Sequence, residues 1–230
     1  MSGKLEIMGQ SFGPCQLVLA LDHAVSFARE DFLRGPSNAT ALTLMERWPD
    51  WPDRIMMLIG PQGSGKSHLA AIWAEAAGAR ALSAKLLDET ILPAALATGA
   101  LVLEDLAWGG FDERILFHLL NLVREEGATM LITGRSPPST IPVTTRDLSS
   151  RLRALPSVTL AAPDDVLLRA LIGKLAADRQ LAVDEALVNY LATHIERSFA
   201  AAHAAVVRLD EEAMRQHRPV TRALAAELFR

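Results

Sequence analysis

One cysteine, Cys15, stands in a chain of 230 residues. No disulfide can close within such a chain, which fits a reducing compartment. Aromatic residues are scarce, at 5% of the total. Leu, Ala, Val and Ile must therefore fill the core, and an Ala- and Leu-rich chain of this kind leans helical. No window reaches the length of a membrane span. The apolar run Leu17–Leu21, ended by Asp22 and His23, is too short for a secretion signal and has no convincing cleavage site. The expected setting is cytoplasmic. Basic residues are not in excess either: the net charge is −4 and the pI near 5.9. A protein that grips DNA across many phosphates carries a basic face. No Lys/Arg cluster here builds one, which argues against strong DNA binding by this chain alone. The six histidines show no metal-ligand spacing. His194 and His203 lie on separate helical turns among alanines and read as packing or surface residues. There is no internal repeat.

What is present is an alternation. Ile55-Met-Met-Leu-Ile59 is a continuous apolar run stopped by Gly60, the pattern of a strand buried on both faces. A helix is predicted from Lys66 to about Ala77, halted by Gly78. Further strands are predicted at Ala81–Ser83, Ala100–Leu103, Thr129–Thr133 and Val158–Leu160. A helix over Glu113–Glu126 carries Ile115, Leu116, Leu119, Leu120 and Val123 at helical spacing. Strands alternating with helices imply an α/β fold with a parallel sheet. After Asp164 only helical periods remain, roughly 164–178, 184–196, 198–214 and 220–229, which read as a small all-helical lid. The expected organisation is a flexible N-terminal arm over 1–30, an α/β nucleotide-binding domain over 31–162 and the helical lid over 163–230. Another helix is expected over 38–48. Trp48 and Trp51 flank a proline-rich bend behind it and are expected to pin it against the sheet, or to stand near a nucleotide base.

The strongest motif is Gly60-Pro-Gln-Gly63-Ser64-Gly65-Lys66-Ser67. Three glycines let successive backbone N–H groups turn inward around phosphate oxygens. Lys66 brings a positive charge to the β and γ phosphates, and the Ser67 hydroxyl is a ligand for Mg²⁺. The helix that starts there points its positive end at the same phosphates. A buried strand precedes the loop and an amphipathic helix follows, as phosphate binding requires. ATP or ADP with Mg²⁺ is the expected ligand, and His68 is counted with the nucleotide-contacting residues. The second feature is Leu101-Val-Leu-Glu104-Asp105, two acids at the end of a buried strand. There Glu104 would hold the metal and Asp105 polarise the attacking water. The third is Asp147-Leu-Ser-Ser-Arg151-Leu-Arg153. Composition and spacing leave two readings open: solvated arginines on a surface helix, or an arginine finger directed at a neighbouring site. The fourth is Gln16-Leu17-Val-Leu19-Ala-Leu21, which suits either an edge strand or an insertion into a partner protein.

Taken together and in order, Gly60–Leu69, Leu101–Leu106, Leu131–Pro138 and Asp147–Leu152 resemble the AAA+ module of the DnaA family of replication initiators. The likeness runs from about Asp31 to the last residue. The sequence ends where DnaA would continue into its DNA-binding domain, which makes the short DnaA homologues of the Hda type the nearest in pattern. Several expectations follow from the resemblance. Such proteins dock on the DNA-loaded sliding clamp of DNA polymerase III (the β clamp) and promote hydrolysis of ATP on DnaA, which lowers initiation. Gln16, Leu17, Leu19 and Leu21 would form the clamp-binding motif, and Arg151 would act in trans on DnaA-bound ATP. DNA would be reached only indirectly. Arg151 makes sense only at a subunit interface, so a homo-oligomer is a further expectation. Two positions depart from the family pattern. Arg135 replaces the acid after the Thr133-Gly134 turn, and Ala200 stands where the lid carries a nucleotide-reading arginine; whether Arg197, one turn earlier, replaces it is left open, and it is not counted on. Together with Glu104, these departures lead to an expectation of weak or absent intrinsic ATPase activity.

Overall fold

The computed structural model describes residues 27–107 and 109–229. Five strands form one parallel sheet in the order β2-β3-β4-β1-β5. They are β1 (Ile55–Ile59), β2 (Arg80–Ser83), β3 (Ala100–Leu106), β4 (Thr129–Gly134) and β5 (Ser157–Thr159). The helices among them are α1 (Ala39–Glu46), α2 (Lys66–Ala77), the single turn α3 (Leu92–Ala95), α4 (Glu113–Glu125) and α5 (Arg146–Ala154). Four more follow: α6 (Asp165–Asp178), α7 (Glu185–His194), α8 (Phe199–Gln216) and α9 (Arg222–Leu228).

All five residues of β1 are buried, as its unbroken apolar run requires. Alternate residues of one strand point to opposite faces. Ile55, Met57 and Ile59 therefore join the core under α4 and α5, with Leu103, Ile132, Leu116 and Leu152. Met56 and Leu58 join the core under α1 and α2, with Leu42, Leu69 and Trp73. In that second core Trp51 stacks on Trp73 (5.0 Å between centroids, 20° between planes), and Trp48 meets Trp73 edge-on. The Trp51 indole N–H donates to Leu44 O at 2.8 Å. The two tryptophans thus pin α1 to α2, which in turn covers the sheet.

Helices α6 to α9 share a third core built on Leu168, Ile172, Leu191, Val206 and Leu224. Each begins on a side-chain cap. Asp164, Asp184, Ser198 and Thr221 accept from backbone N–H groups three residues on. Such caps satisfy donors that a helix start leaves unpaired, each worth about 1 kcal/mol.

The chain before α1 differs in part from the expected flexible arm. Residues 27–30, expected to belong to that arm, are described and packed. Ala28 O takes a hydrogen bond from His68 Nε2 at 3.0 Å, and the Phe27 ring meets His68 edge-on. An apolar ring and a buried imidazole have more to gain from each other than from water. Gln16, Leu17, Leu19 and Leu21 lie outside the described residues.

Candidate nucleotide site

The carboxyl ends of β1, β3 and β4 open on one edge of the sheet, where ligands of open parallel sheets bind. Gly60 follows β1 and is buried. A Cβ there would lie 2.3 Å from Leu160 O and 2.7 Å from Ser64 Oγ, so no side chain fits. Gly63 and Gly65 have φ of +71° and +96°, the left-handed region that glycine enters without a Cβ penalty. Such turns allow a loop's amides to face inward, and α2 starts at Lys66 with its positive end toward the loop. Ser64 Oγ is buried and has no hydrogen-bond partner among the described residues. An orphaned buried hydroxyl in a glycine-rich loop at a helix start suits an anionic oxygen. The residues present therefore fit the phosphates of a nucleotide.

Lys66 is 8% exposed, and its Nζ donates to Gly60 O and Pro61 O, each at 2.8 Å. Burial lowers its pKa from the ordinary lysine value, the Asp105 carboxylate opposes that, and Arg135 adds to the lowering. Ser67, on the first turn of α2, is exposed to the groove.

Strand β3 is irregular where the two acids stand. Its register against β4 shifts between Leu103 and Leu106. Asp105 sits at φ +60°, and its N–H donates to Thr133 Oγ1 at 3.0 Å. A non-glycine residue in the left-handed region costs on the order of 1 kcal/mol, and such bulges re-aim side chains. Of the two acids, Asp105 is the one whose charge acts on Lys66. Glu104 is half-buried and makes no ion pair or side-chain hydrogen bond among the described residues.

The lid meets the cradle directly. The Phe199 N–H donates to Gly63 O at 2.7 Å. Ser198, 4% exposed, caps α8 through Ala201 N, and a Cβ on Gly63 would lie 2.8 Å from Ser198 Cβ. Ala200 brings only a methyl to this contact. Arg197 is ion-paired with Asp165 at 2.7 Å and is not among the residues lining the groove over the cradle. His203, one turn past Phe199, does line that groove with Gly63, Lys66 and Ser67. The sequence alone made it a packing or surface residue.

His68 is 5% exposed and joins three segments. Besides Phe27, the rings of Phe32 and Phe199 meet it edge-on at 5.3 and 6.4 Å. Beside it runs a mostly apolar cleft lined by Phe32, Asn38, Ser64, Leu167 and Phe199. Ser37 Oγ in its wall is a second buried hydroxyl without a partner among the described residues. The cleft is small, about 40 Å³, and holds little more than a water-sized group in this form.

Arg151 is placed apart from this groove, on α5. Its guanidinium lies over the Phe117 ring of α4, 4.6 Å from the centroid. The start of α5 is fixed by Glu113, whose carboxylate accepts from the N–H and hydroxyl of both Thr144 and Thr145 at 2.8–3.0 Å. These bonds lower the Glu113 pKa.

Sheet order, phosphate cradle and capping helical lid define the AAA+ class of P-loop fold. The chain is similar to domain III of the replication initiation protein DnaA from Thermotoga maritima, with 18% identity and a TM-score of 0.71, over 88% of this chain and 95% of that one. It is similar to AMPPCP-bound DnaA from Aquifex aeolicus, with 19% identity and a TM-score of 0.63, over 82% of this chain and 67% of that one. It is also similar to the Thermotoga maritima RuvB Holliday junction branch migration motor, with 15% identity and a TM-score of 0.68, over 88% and 70%. No family model matches the sequence, and no curated protein matches it. At these identities the shared property is the fold. Among the described residues, no helix is long and apolar enough to cross a membrane.

Proposed function

We propose that this chain is a nucleotide-binding AAA+ regulator of replication initiation, which binds ATP or ADP in its own cradle and directs Arg151 at ATP held by a partner, DnaA. One observation carries this reading. The lid meets Gly63 through the Phe199 N–H, no arginine is among the described residues that line the groove over the cradle, and Arg151 lies over Phe117, outside that lining. The AMPPCP-bound DnaA of Aquifex aeolicus supports nucleotide as the ligand.

The residues divide the work. Backbone amides of the cradle, Ser64 and Lys66 would hold the phosphates. Ser67 would hold Mg²⁺, with Asp105 or Glu104 facing it from β3. Mg²⁺ supplies charge neutralisation between the phosphates. In the partner, a guanidinium aimed at the developing charge on the phosphoryl group lowers the barrier, and the absence of solvent reorganisation makes its contribution large. Docking on the DNA-loaded β clamp through Gln16, Leu17, Leu19 and Leu21 completes the proposal and would concentrate the chain near its target.

The test is hydrolysis of DnaA-bound ATP with and without this chain, clamp and DNA. Stimulation by the wild type that is lost in Arg151→Ala is expected. Equal stimulation by Arg151→Ala removes the finger role. A second reading, a DNA-linked ATPase, rests on the likeness to the RuvB motor and to DnaA. Turnover of ATP by this chain alone that rises with added DNA would establish it instead.

A further inference from the structure

The groove over the cradle has two walls. One is Gly63, Lys66 and Ser67; the other is the first turn and a half of α8, with Phe199, Ala200 and His203. The groove measures about 350 Å³. Residues 199, 200 and 203 share a helix face because spacings of three and four return to it. Ala200 offers no polar atom on that face, so His203 is the titratable side chain the lid presents to the groove.

Its environment is specific. Arg179, at the C-terminal end of α6, stands 3.4 Å from His203 Nε2. A guanidinium has only donors, so Nε2 accepts and the neutral ring carries its proton on Nδ1. The Phe199 ring lies roughly parallel to the imidazole, 15° between planes and 6.4 Å between centroids. Burial first, and Arg179 second, lower the His203 pKa from the ordinary histidine value. Lys66 faces the groove from α2. His68, the other histidine of the groove, is committed to Ala28 O.

We propose that His203 is a phosphate-contacting residue of the lid, supplying to the polyphosphate of a bound nucleotide the polar contact that Ala200 lacks, with Arg179 as its positioning partner. This rests on the nucleotide site of the preceding section. A polyphosphate entering between the walls offers anionic oxygens to the Nδ1–H and compensates for Arg179. The charged form of His203 is then favoured in the complex and disfavoured without it. The sign follows from linkage: the complex binds more protons than the free protein, so affinity rises as pH falls through the interval between the two His203 pKa values. Below that interval the gain is constant.

The test is calorimetric titration of the full chain with MgADP and MgATP between pH 8 and pH 5.5, on the wild type, His203→Ala, His203→Gln and Arg179→Ala. Folding of each variant is checked by its thermal transition. His203→Ala is expected to weaken both nucleotides about tenfold at pH 6, in line with the loss of one hydrogen bond to a charged group. His203→Gln keeps a donor and loses the ability to charge. It should retain most of the affinity at pH 8 and shed the extra tightening on acidification. Arg179→Ala should move that tightening to higher pH. Protonation of the terminal phosphate itself is common to all four proteins and cancels in the comparison. Folded variants whose affinity stays within twofold of wild type at every pH, with the same pH slope, overturn the proposal. Failure of the wild type to bind either nucleotide overturns the site reading and this inference with it.

Discussion

The two walls of the groove are built by different means. The sheet-side wall is made of backbone: glycines at φ +71° and +96°, a helix start, and one lysine resting on loop carbonyls. The lid-side wall is made of side chains with little charge to offer: a phenylalanine, an alanine and a histidine next to Arg179. The first wall suits any polyphosphate. On the proposed reading, the second would set how much the lid reports about what is bound. The difference teaches that holding a nucleotide and reading it are separable in this fold. Here the sheet-side wall carries Lys66 and Ser67, and the lid-side wall carries one titratable side chain, His203.

Four experiments would break or sharpen that division. The largest effect is expected away from both walls. Arg151→Ala should lower stimulation of DnaA-bound ATP hydrolysis by about 10³-fold, the low end for arginine fingers, while the thermal transition moves little, because among the described residues the Arg151 guanidinium contacts only a ring face. Next is Lys66→Ala on the holding wall. Affinity for MgADP by calorimetry should fall about 100-fold, the scale of a charge-assisted contact. A fall below fivefold would mean that the cradle's amides suffice alone. Third, Gly63→Val attacks the contact between the walls, since it places a branched side chain at φ +71° and a Cβ 2.8 Å from Ser198 Cβ. The cost should be about 2–3 kcal/mol in denaturant unfolding, with proteolysis of the lid helices preceding that of the sheet. Unchanged stability would show that the lid does not rest on the loop in solution. Smallest is Ser198→Ala, which removes the cap of α8 and should cost about 1 kcal/mol in the same assay.

The holding wall was legible in the sequence because local rules determine it. A continuous apolar run before Gly60, glycines at fixed spacing and a helix after them have one physical solution, whatever surrounds them. The lid helices were legible from their apolar periods, while their caps Asp164, Asp184, Ser198 and Thr221 were identified only in the structure. The turn at Asp105 was not legible. Its left-handed backbone is held by the Thr133 hydroxyl on the neighbouring strand, 28 residues on, and no local preference of aspartate announces that. His203 was missed for a related reason. Helical spacing shows that it shares a face with Phe199 and Ala200, but only packing shows that this face covers Lys66. Glu113 was read as a helix start; that its carboxylate fixes Thr144 and Thr145, and so the helix bearing Arg151, follows from a contact spanning 31 residues.

The stacked pair Trp51 and Trp73 has an optical consequence. Two nearly parallel indoles 5.0 Å apart share their electronic excitation, and one of them rides on the helix whose first turn holds Lys66 and Ser67. A tilt of that helix rotates one transition dipole against the other. The near-ultraviolet circular dichroism of the unlabelled protein should therefore register ligand arrival at the cradle, giving a built-in signal with the time resolution of a stopped-flow mixer.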